Sequence, residues 1–399
     1  MKKRWAQKID ALSESMTVAV SDRARELQQK GVQVVNLGGG DPDFSTPDHI
    51  VAAAVEGIRS GLTHYVASKG IPELRRAVAA KFRRDNQVAY DPDREIIVTA
   101  GGKLALFITL AAMVEPGDEV LIFDPAWVSY EPLVRMLDGV PVAIPLSPEE
   151  NFALDPAVLK KRITARTRAM ILNSPNNPTG RVLTPDELAA VSAAAQAHGI
   201  WVLSDEIYEP IVYDRHRPTS LASLPGMRDL TVTINGMSKT YAMTGWRLGY
   251  LGAPAPLCEQ ILKVQQHVVT CAPSFVQAAG VAALQGPQGC VAEMVAEYDR
   301  RRRFMTDALN AIPGVHCPSP EGAFYLFPRV VYRNMDSNAL ARFMIEKAHV
   351  AVTPGAAFGK SCTQNIRLTF ATSMASLRQA ADQLAAALSS CSSGPAAIA

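Results

Sequence analysis

Short runs that are apolar at nearly every position alternate with longer stretches whose apolar residues recur at helical spacing. The short runs lie at 95–99 (EIIVT), 119–123 (EVLIF), 169–173 (AMILN), 201–204 (WVLS), 230–234 and 248–251. Runs apolar on nearly every residue predict strands buried on both faces. A helical pattern runs from about Lys103 to Val114, and Pro116-Gly117-Asp118 marks a turn. Before the WVLS run, Thr184 can cap a helix, Pro185 suits its first turn and Glu187 completes a capping box. Strands alternating with helices predict an α/β fold with a mostly parallel sheet.

From about Pro287 the texture changes. A helix over 293–309 carries Arg300 to Arg303, short strands follow near 323–327 and 366–370, and a last helix spans 377–388. This reads as a second, smaller α+β unit. The arginine run reads either as a solvated helix face or as an anion site. From Ser389 onward (SSCSSGPAAIA) the chain reads as a disordered tail.

Composition narrows the function classes. In 399 residues, 40 basic side chains face 38 acidic ones, for a net charge of +2. That balance leaves no basic excess to neutralise phosphates, which argues against nucleic acid as a partner. No stretch approaches the roughly 18 apolar residues of a membrane helix, and the basic start is not followed by the apolar run of a secretory signal. The cysteines at 258, 271, 290, 317, 362 and 391 form no CxxC pair, and no His or Cys cluster has metal-ligand spacing. These features predict a cytoplasmic protein with free thiols and no metal.

Four segments carry candidate chemistry. In 235–250 (NGMSKTYAMTGWRLGY), Lys239 follows a strand and Arg247 stands in a second turn eight positions on. Each reads alone as a surface cation. At the carboxyl ends of strands, where open α/β sheets bind ligands, the amine can instead form a Schiff base with an aldehyde cofactor. The guanidinium can pair with a phosphate. In 204–208 (SDEIY), Asp205 reads as a helix cap or as the partner of a protonated ring nitrogen, with Tyr208 offering a hydroxyl to the same ring. Asn177, in the turn 173–180 (NSPNNPTG), can present its amide to a phenolate oxygen or a carboxylate. Gly101 and Gly102 (TAGGK, 99–103) open a helix whose N–H groups suit a phosphate; Leu104 after Lys103 rules out a nucleotide P-loop.

Together these segments resemble the fold-type I pyridoxal phosphate (PLP) enzymes, and specifically the class I aminotransferases of the bacterial aspartate aminotransferase subgroup. The resemblance covers about 15 to 388 and rests on ordered motifs: GGGDPDF (38–44), HYVASKGIPELR (64–75), TAGGKLALF (99–107), PAWVSY (125–130), NSPNNPTG, SDEIY, SKTYAMTGWRLGY (238–250) and IRLTFATS (366–373). It implies a large PLP-binding domain over 46–288. A small domain would be built from an N-terminal arm (1–45) and from 289–388, ahead of the 389–399 tail. Lys239 would be the Schiff-base lysine and proton shuttle, and Asp205 would pair with the pyridine nitrogen. Tyr208 and Asn177 would bond the ring oxygen, and Trp127 would stack on the ring. Arg247, Ser238 and Gly101-Gly102-Lys103 would hold or border the phosphate. Arg367 would grip the substrate α-carboxylate beside Gly40, with Trp127 and Asn177 also facing substrate. Tyr65 would reach the phosphate of a neighbouring subunit, which implies a homodimer with shared sites.

The implied activity is ping-pong transfer of an amino group from an L-amino acid to a 2-oxo acid. Lys103, which matches a subgroup position linked to the distal carboxylate, points to aspartate and glutamate. Gly236 stands where the wider family often has Ser, which removes a phosphate hydroxyl. Ser13 stands where prephenate-accepting members tend to carry Lys, and 270–277 contains no Arg for a distal carboxylate. The alternatives are a racemase or a β-elimination or aminocyclopropane-type lyase on the same scaffold, or an aminotransferase for aromatic or other neutral amino acids. A PLP-sensing transcription regulator is a rival of another class, disfavoured because only about fifteen residues precede the resemblance.

Overall fold

The computed structural model describes residues 6–10, 12 and 15–389. The expectations for Ser13 and for the tail, apart from Ser389 at the end of the last helix, lie outside the described residues. Seven strands form one sheet: β1 (Ile96–Thr99), β2 (Glu119–Asp124), β3 (Val140–Pro145), β4 (Thr167–Asn173), β5 (Trp201–Asp205), β6 (Thr231–Gly236) and β7 (Gly249–Gly252). Their spatial order is β1-β7-β6-β5-β4-β2-β3. The pairs β2/β3, β2/β4, β4/β5 and β5/β6 are parallel, and β7 runs antiparallel to β1 and β6. The expected α/β class with a mostly parallel sheet is therefore what forms.

Six of these strands coincide with the apolar runs because the sheet is covered on both faces. β1, β6 and β7 are buried at every position. β3 has no counterpart among those runs. It is the sheet edge, exposed at several positions, and it carries Pro141 and Pro145. Proline removes a ladder donor and so is tolerated only at such an edge. The helix Pro185–His198 starts as its sequence signals: the Thr184 hydroxyl accepts from the Glu187 N–H at 3.2 Å, and the Glu187 carboxylate accepts from the Thr184 N–H at 2.8 Å.

The C-terminal part contains the helices Gly289–Asn310 and Met374–Ser389 and a small antiparallel sheet. In that sheet Ile366–Thr369 lies between Tyr325–Leu326 and Thr353–Pro354. The N-terminal strand Val35–Asn36 pairs in parallel with Val350–Ala351. Tyr208, Phe324, Tyr325 and Phe370 share one apolar cluster, so residues after β5 pack against the C-terminal sheet.

The arginine run is a solvated face only in part, at the exposed Arg300 and Arg303, and its cations are paired within the chain rather than left for an anion. Arg301 and Arg302 are buried, and all four arginines pair with carboxylates. Arg302 meets Asp214 and Asp299 at 2.6 Å and lies 4.7 Å from the Tyr213 ring centroid. Arg301 meets Asp43 at 2.7 Å and Glu297 at 2.8 Å.

Candidate active site

Strand polarity gathers the expected residues beyond the carboxyl ends of the parallel strands. β4, β5 and β6 end side by side, with Asn173 opposite Asp205 and Asp205 opposite Ile234. Beyond those ends stand Asn177, Tyr208 and the one-turn helix Met237–Thr240 that bears Ser238 and Lys239. β7 runs the other way and begins at the same end of the sheet, where Gly249 is opposite both Thr99 and Gly236. Arg247, just before β7, therefore meets the glycines after β1.

A cleft of about 380 Å³ results. Its lining contains Gly40, Gly102, Lys103, Trp127, Asn177, Asp205, Tyr208, Ser238, Lys239, Arg247 and Arg367. Gly101 borders it. Its φ is +88°, and a Cβ there would lie 2.5 Å from Arg247 Nη2, so the turn and the arginine fit together only around glycine. Tyr65 alone of the expected set stands apart, 84% exposed at the surface. A larger cavity of about 640 Å³ is lined by Lys81, Glu209 and Asn235 among others, but there the Lys81 amine is already satisfied by Glu209 and Asn86.

The electrostatics inside the cleft are asymmetric. Asp205 is 6% exposed and accepts from the Tyr130 hydroxyl at 2.7 Å and the Ile207 N–H at 3.3 Å. Burial outweighs these bonds and raises its carboxyl to about 6. The Lys239 amine donates to the Gly40 carbonyl at 2.5 Å. Burial, aided by Arg367 and Arg247, brings it down to about 8 against the pull of Asp41 and Asp205. Lys103 lies 4.9 Å from the Trp127 ring centroid, and its amine is also lowered, by burial and then by Arg247.

Arg367 is 2% exposed. Its Nη1 donates to Asn177 Oδ1 at 3.0 Å, and its Nη2 donates to the Gly38 carbonyl at 2.6 Å. Its Nε is buried with no partner. An unsatisfied donor on a buried guanidinium suits an incoming carboxylate.

This donor set fits PLP. A buried carboxylate in no ion pair among the described residues, with Lys239 the cation it feels, matches a protonated ring nitrogen. Trp127 offers a flat face. The N-terminus of Gly102–Met113, with Ser238 and Arg247 nearby, matches a phosphate. Of Lys103 and Lys239, which both line the cleft, Lys239 is the one whose amine is coupled to Asp205, and its lowered basicity leaves a nucleophilic fraction at neutral pH.

Tyr130, Asn173 and Tyr325 also belong to the site and were missed from the sequence. Asn173 Nδ2 donates to the Asp205 carbonyl at 2.9 Å, and its Oδ1 accepts from the Asn177 N–H at 2.8 Å. Asn173 and Tyr130 lie inside quoted motifs, yet nothing in their spacing distinguishes them from core. Tyr325 follows Ala323-Phe324 in an apolar run that reads as a strand only.

A family model for aminotransferase class I and II matches residues 32–384. The chain is 44% identical over 384 residues to an aspartate aminotransferase of Musicola paradisiaca, covering 96% of each. It is 41% identical over 379 residues to aromatic-amino-acid aminotransferase 2 of Thermococcus litoralis, covering 94% of this chain and 97% of the relative. Its fold is similar to the aspartate aminotransferase of Thermus thermophilus solved with maleate. That match has a TM-score of 0.92 and 38% identity, over 97% of this chain and 100% of the other.

Proposed function

Because this chain belongs to the aminotransferase class I and II family, we propose that the cleft transfers amino groups between an L-amino acid and a 2-oxo acid, with aspartate and glutamate as the favoured donors. The protein is a PLP-dependent transaminase of the aspartate aminotransferase type. The observation that carries the residue assignments is the convergence of Lys239, Asp205 and Arg367, from three distant stretches of chain, on one cleft.

When bound, the cofactor supplies an aldehyde carbon to carry the amino group and a ring that takes up electrons from the substrate Cα–H bond. Lys239 Nζ would hold the cofactor through that aldehyde carbon, C4′, and, once free as an amine, would be the base that moves the proton between the substrate Cα and C4′. An amine near 8 is matched to this exchange at neutral pH. Asp205 keeps the ring nitrogen protonated, and Tyr130 holds the carboxylate in place. Tyr208 and Asn177 bond the ring oxygen, and Trp127 covers the ring face. Arg247, Ser238 and the Gly101-Gly102-Lys103 turn anchor the phosphate. Arg367 binds the α-carboxylate common to every donor, with Gly40 beside it. Lys103, its amine over the Trp127 ring, offers a cation for a distal carboxylate.

Tyr65 reaches a second subunit's phosphate in a homodimer. The exposure of Val51, Val55 and Ile58 on one face of the helix Asp48–Arg59 supports such an interface. The small domain comprises 1–45 with 289–388, as the pairing of Val35–Asn36 with Val350–Ala351 suggests. A cytoplasmic location suits the five free cysteines among the described residues. The similarity to an aromatic-amino-acid aminotransferase supports a second reading, in which the donor is aromatic.

A panel of donors with 2-oxoglutarate, pyruvate and oxaloacetate tests the substrate reading. Highest kcat/KM for aspartate with 2-oxoglutarate is expected. Phenylalanine or tyrosine exceeding aspartate would move the assignment to the aromatic class.

A further inference from the structure

We propose that Tyr325 is a positioning residue that ties the two halves of the site together, its hydroxyl setting Tyr208 and its ring setting Arg367. The inference rests on the roles given above to Tyr208 and Arg367 and adds a residue to them.

The sheet register brings the groups together. Tyr325 is opposite Thr369, and Arg367 lies two residues back along the same strand. Side chains two apart share a face, so Tyr325 and Arg367 are diagonal neighbours. The guanidinium carbon sits 4.5 Å from the Tyr325 ring centroid, and the Phe358 centroid is 4.8 Å away. Tyr325 is 1% exposed, so the contact is desolvated, the setting in which cation–π attraction is strongest. The ring thus limits where the carboxylate-gripping fork can point.

The other end of the side chain meets the cofactor side. The Tyr325 and Tyr208 hydroxyl oxygens are 2.8 Å apart. A phenol has one proton. If Tyr208 gives its proton to the cofactor's ring oxygen, its own oxygen must accept, and Tyr325 is then the donor. This arrangement also explains Gly40. A Cβ there would lie 2.5 Å from the Tyr325 hydroxyl, so any side chain would displace it. The carbonyl of the same glycine accepts from Lys239. One tyrosine therefore touches the loop that holds the lysine, the phenol beside the ring oxygen and the arginine for substrate.

Hydroxyl and ring make separable predictions. Tyr325→Phe keeps the ring and removes the donor. Titration of the apoenzyme with PLP should show affinity weakened about 2- to 10-fold, the worth of one hydrogen bond. The apparent donor dissociation constant, from half-reaction rates with the best wild-type donor, should stay within about twofold. In a Tyr208→Phe background the Tyr325→Phe effect on PLP affinity should vanish, because the partner hydroxyl is already gone. Tyr325→Leu, with Tyr325→Met as a second apolar replacement, should also weaken donor binding, by roughly tenfold.

An effect of Tyr325→Phe that persists undiminished without the Tyr208 hydroxyl overturns the first half. Donor binding unchanged in the folded Leu or Met variant overturns the second. Wild-type protein that takes up no PLP would instead sink the functional reading itself, a distinguishable outcome.

Discussion

Asp205→Asn is expected to stabilise the protein without cofactor while abolishing turnover. Asp205 is buried, and its two hydrogen bonds do not offset the loss of water, so its carboxyl titrates near 6 rather than at the ordinary 3.8. Between those values the folded protein holds a proton that the unfolded chain has released. Unfolding free energy therefore falls as pH rises through that window and stays lower above it. The rise corresponds to about 3 kcal/mol at neutral pH, an upper figure if the cleft admits water. Asparagine has no charge to desolvate, and its carbonyl oxygen can still accept from Tyr130. Urea unfolding of the cofactor-free wild type and variant, at one protomer concentration, should favour the variant by roughly 1–3 kcal/mol at about pH 7.5. Near pH 4 the difference should disappear. With PLP present the order should reverse, because a positively charged ring nitrogen compensates the carboxylate and not the amide. A variant less stable than wild type at neutral pH without PLP, or a gain equal at both pH values, would refute the reasoning.

Arg367→Ala should raise KM for every amino donor by roughly 30-fold or more, the cost of losing a buried charged pair; an increase confined to dicarboxylic donors in the same panel would contradict the α-carboxylate role. Gly101→Ala puts a methyl 2.5 Å from Arg247 in a backbone with φ of +88°. PLP affinity of the apoenzyme should fall about tenfold, with stability lowered by roughly 1–3 kcal/mol. Arg302→Ala removes a buried guanidinium that also bonds Ser319 and the Pro320 carbonyl, while Arg303 still pairs with the half-exposed Asp214 and Asp299. Denaturation should show a loss of roughly 1–3 kcal/mol, while donor preference is unchanged.

The sheet was legible where burial on both faces made the strand interior apolar, as in β2 and the second half of β4. It was illegible at β3, where an edge position admits Pro141 and Pro145 and breaks the pattern. Site residues with distinctive chemistry in distinctive motifs, such as Lys239, Asp205 and Arg247, could be named from the sequence, and the fold brings them to one end of the sheet. Tyr130 and Tyr325 could not, because an aromatic in an apolar run looks like core until a partner from a distant segment appears: Asp205 for one, Tyr208 and Arg367 for the other. Arg301 and Arg302 were misread for the same reason. Their partners Asp43 and Asp214 are far away in sequence, and only the packing of the long helix against both segments reveals the pairing.

Lys239 is the group assigned here to hold PLP and to move the Cα proton. The most direct measurement mixes PLP-loaded protein with aspartate alone, no 2-oxo acid acceptor, and quantifies products for the wild type and for Lys239→Ala. The wild type should yield oxaloacetate and pyridoxamine phosphate in one-to-one ratio, with exchange of the visible absorption band of the bound cofactor. The variant should show neither the band nor the products. Racemised aspartate without oxaloacetate, or a variant that keeps both band and products, would contradict it.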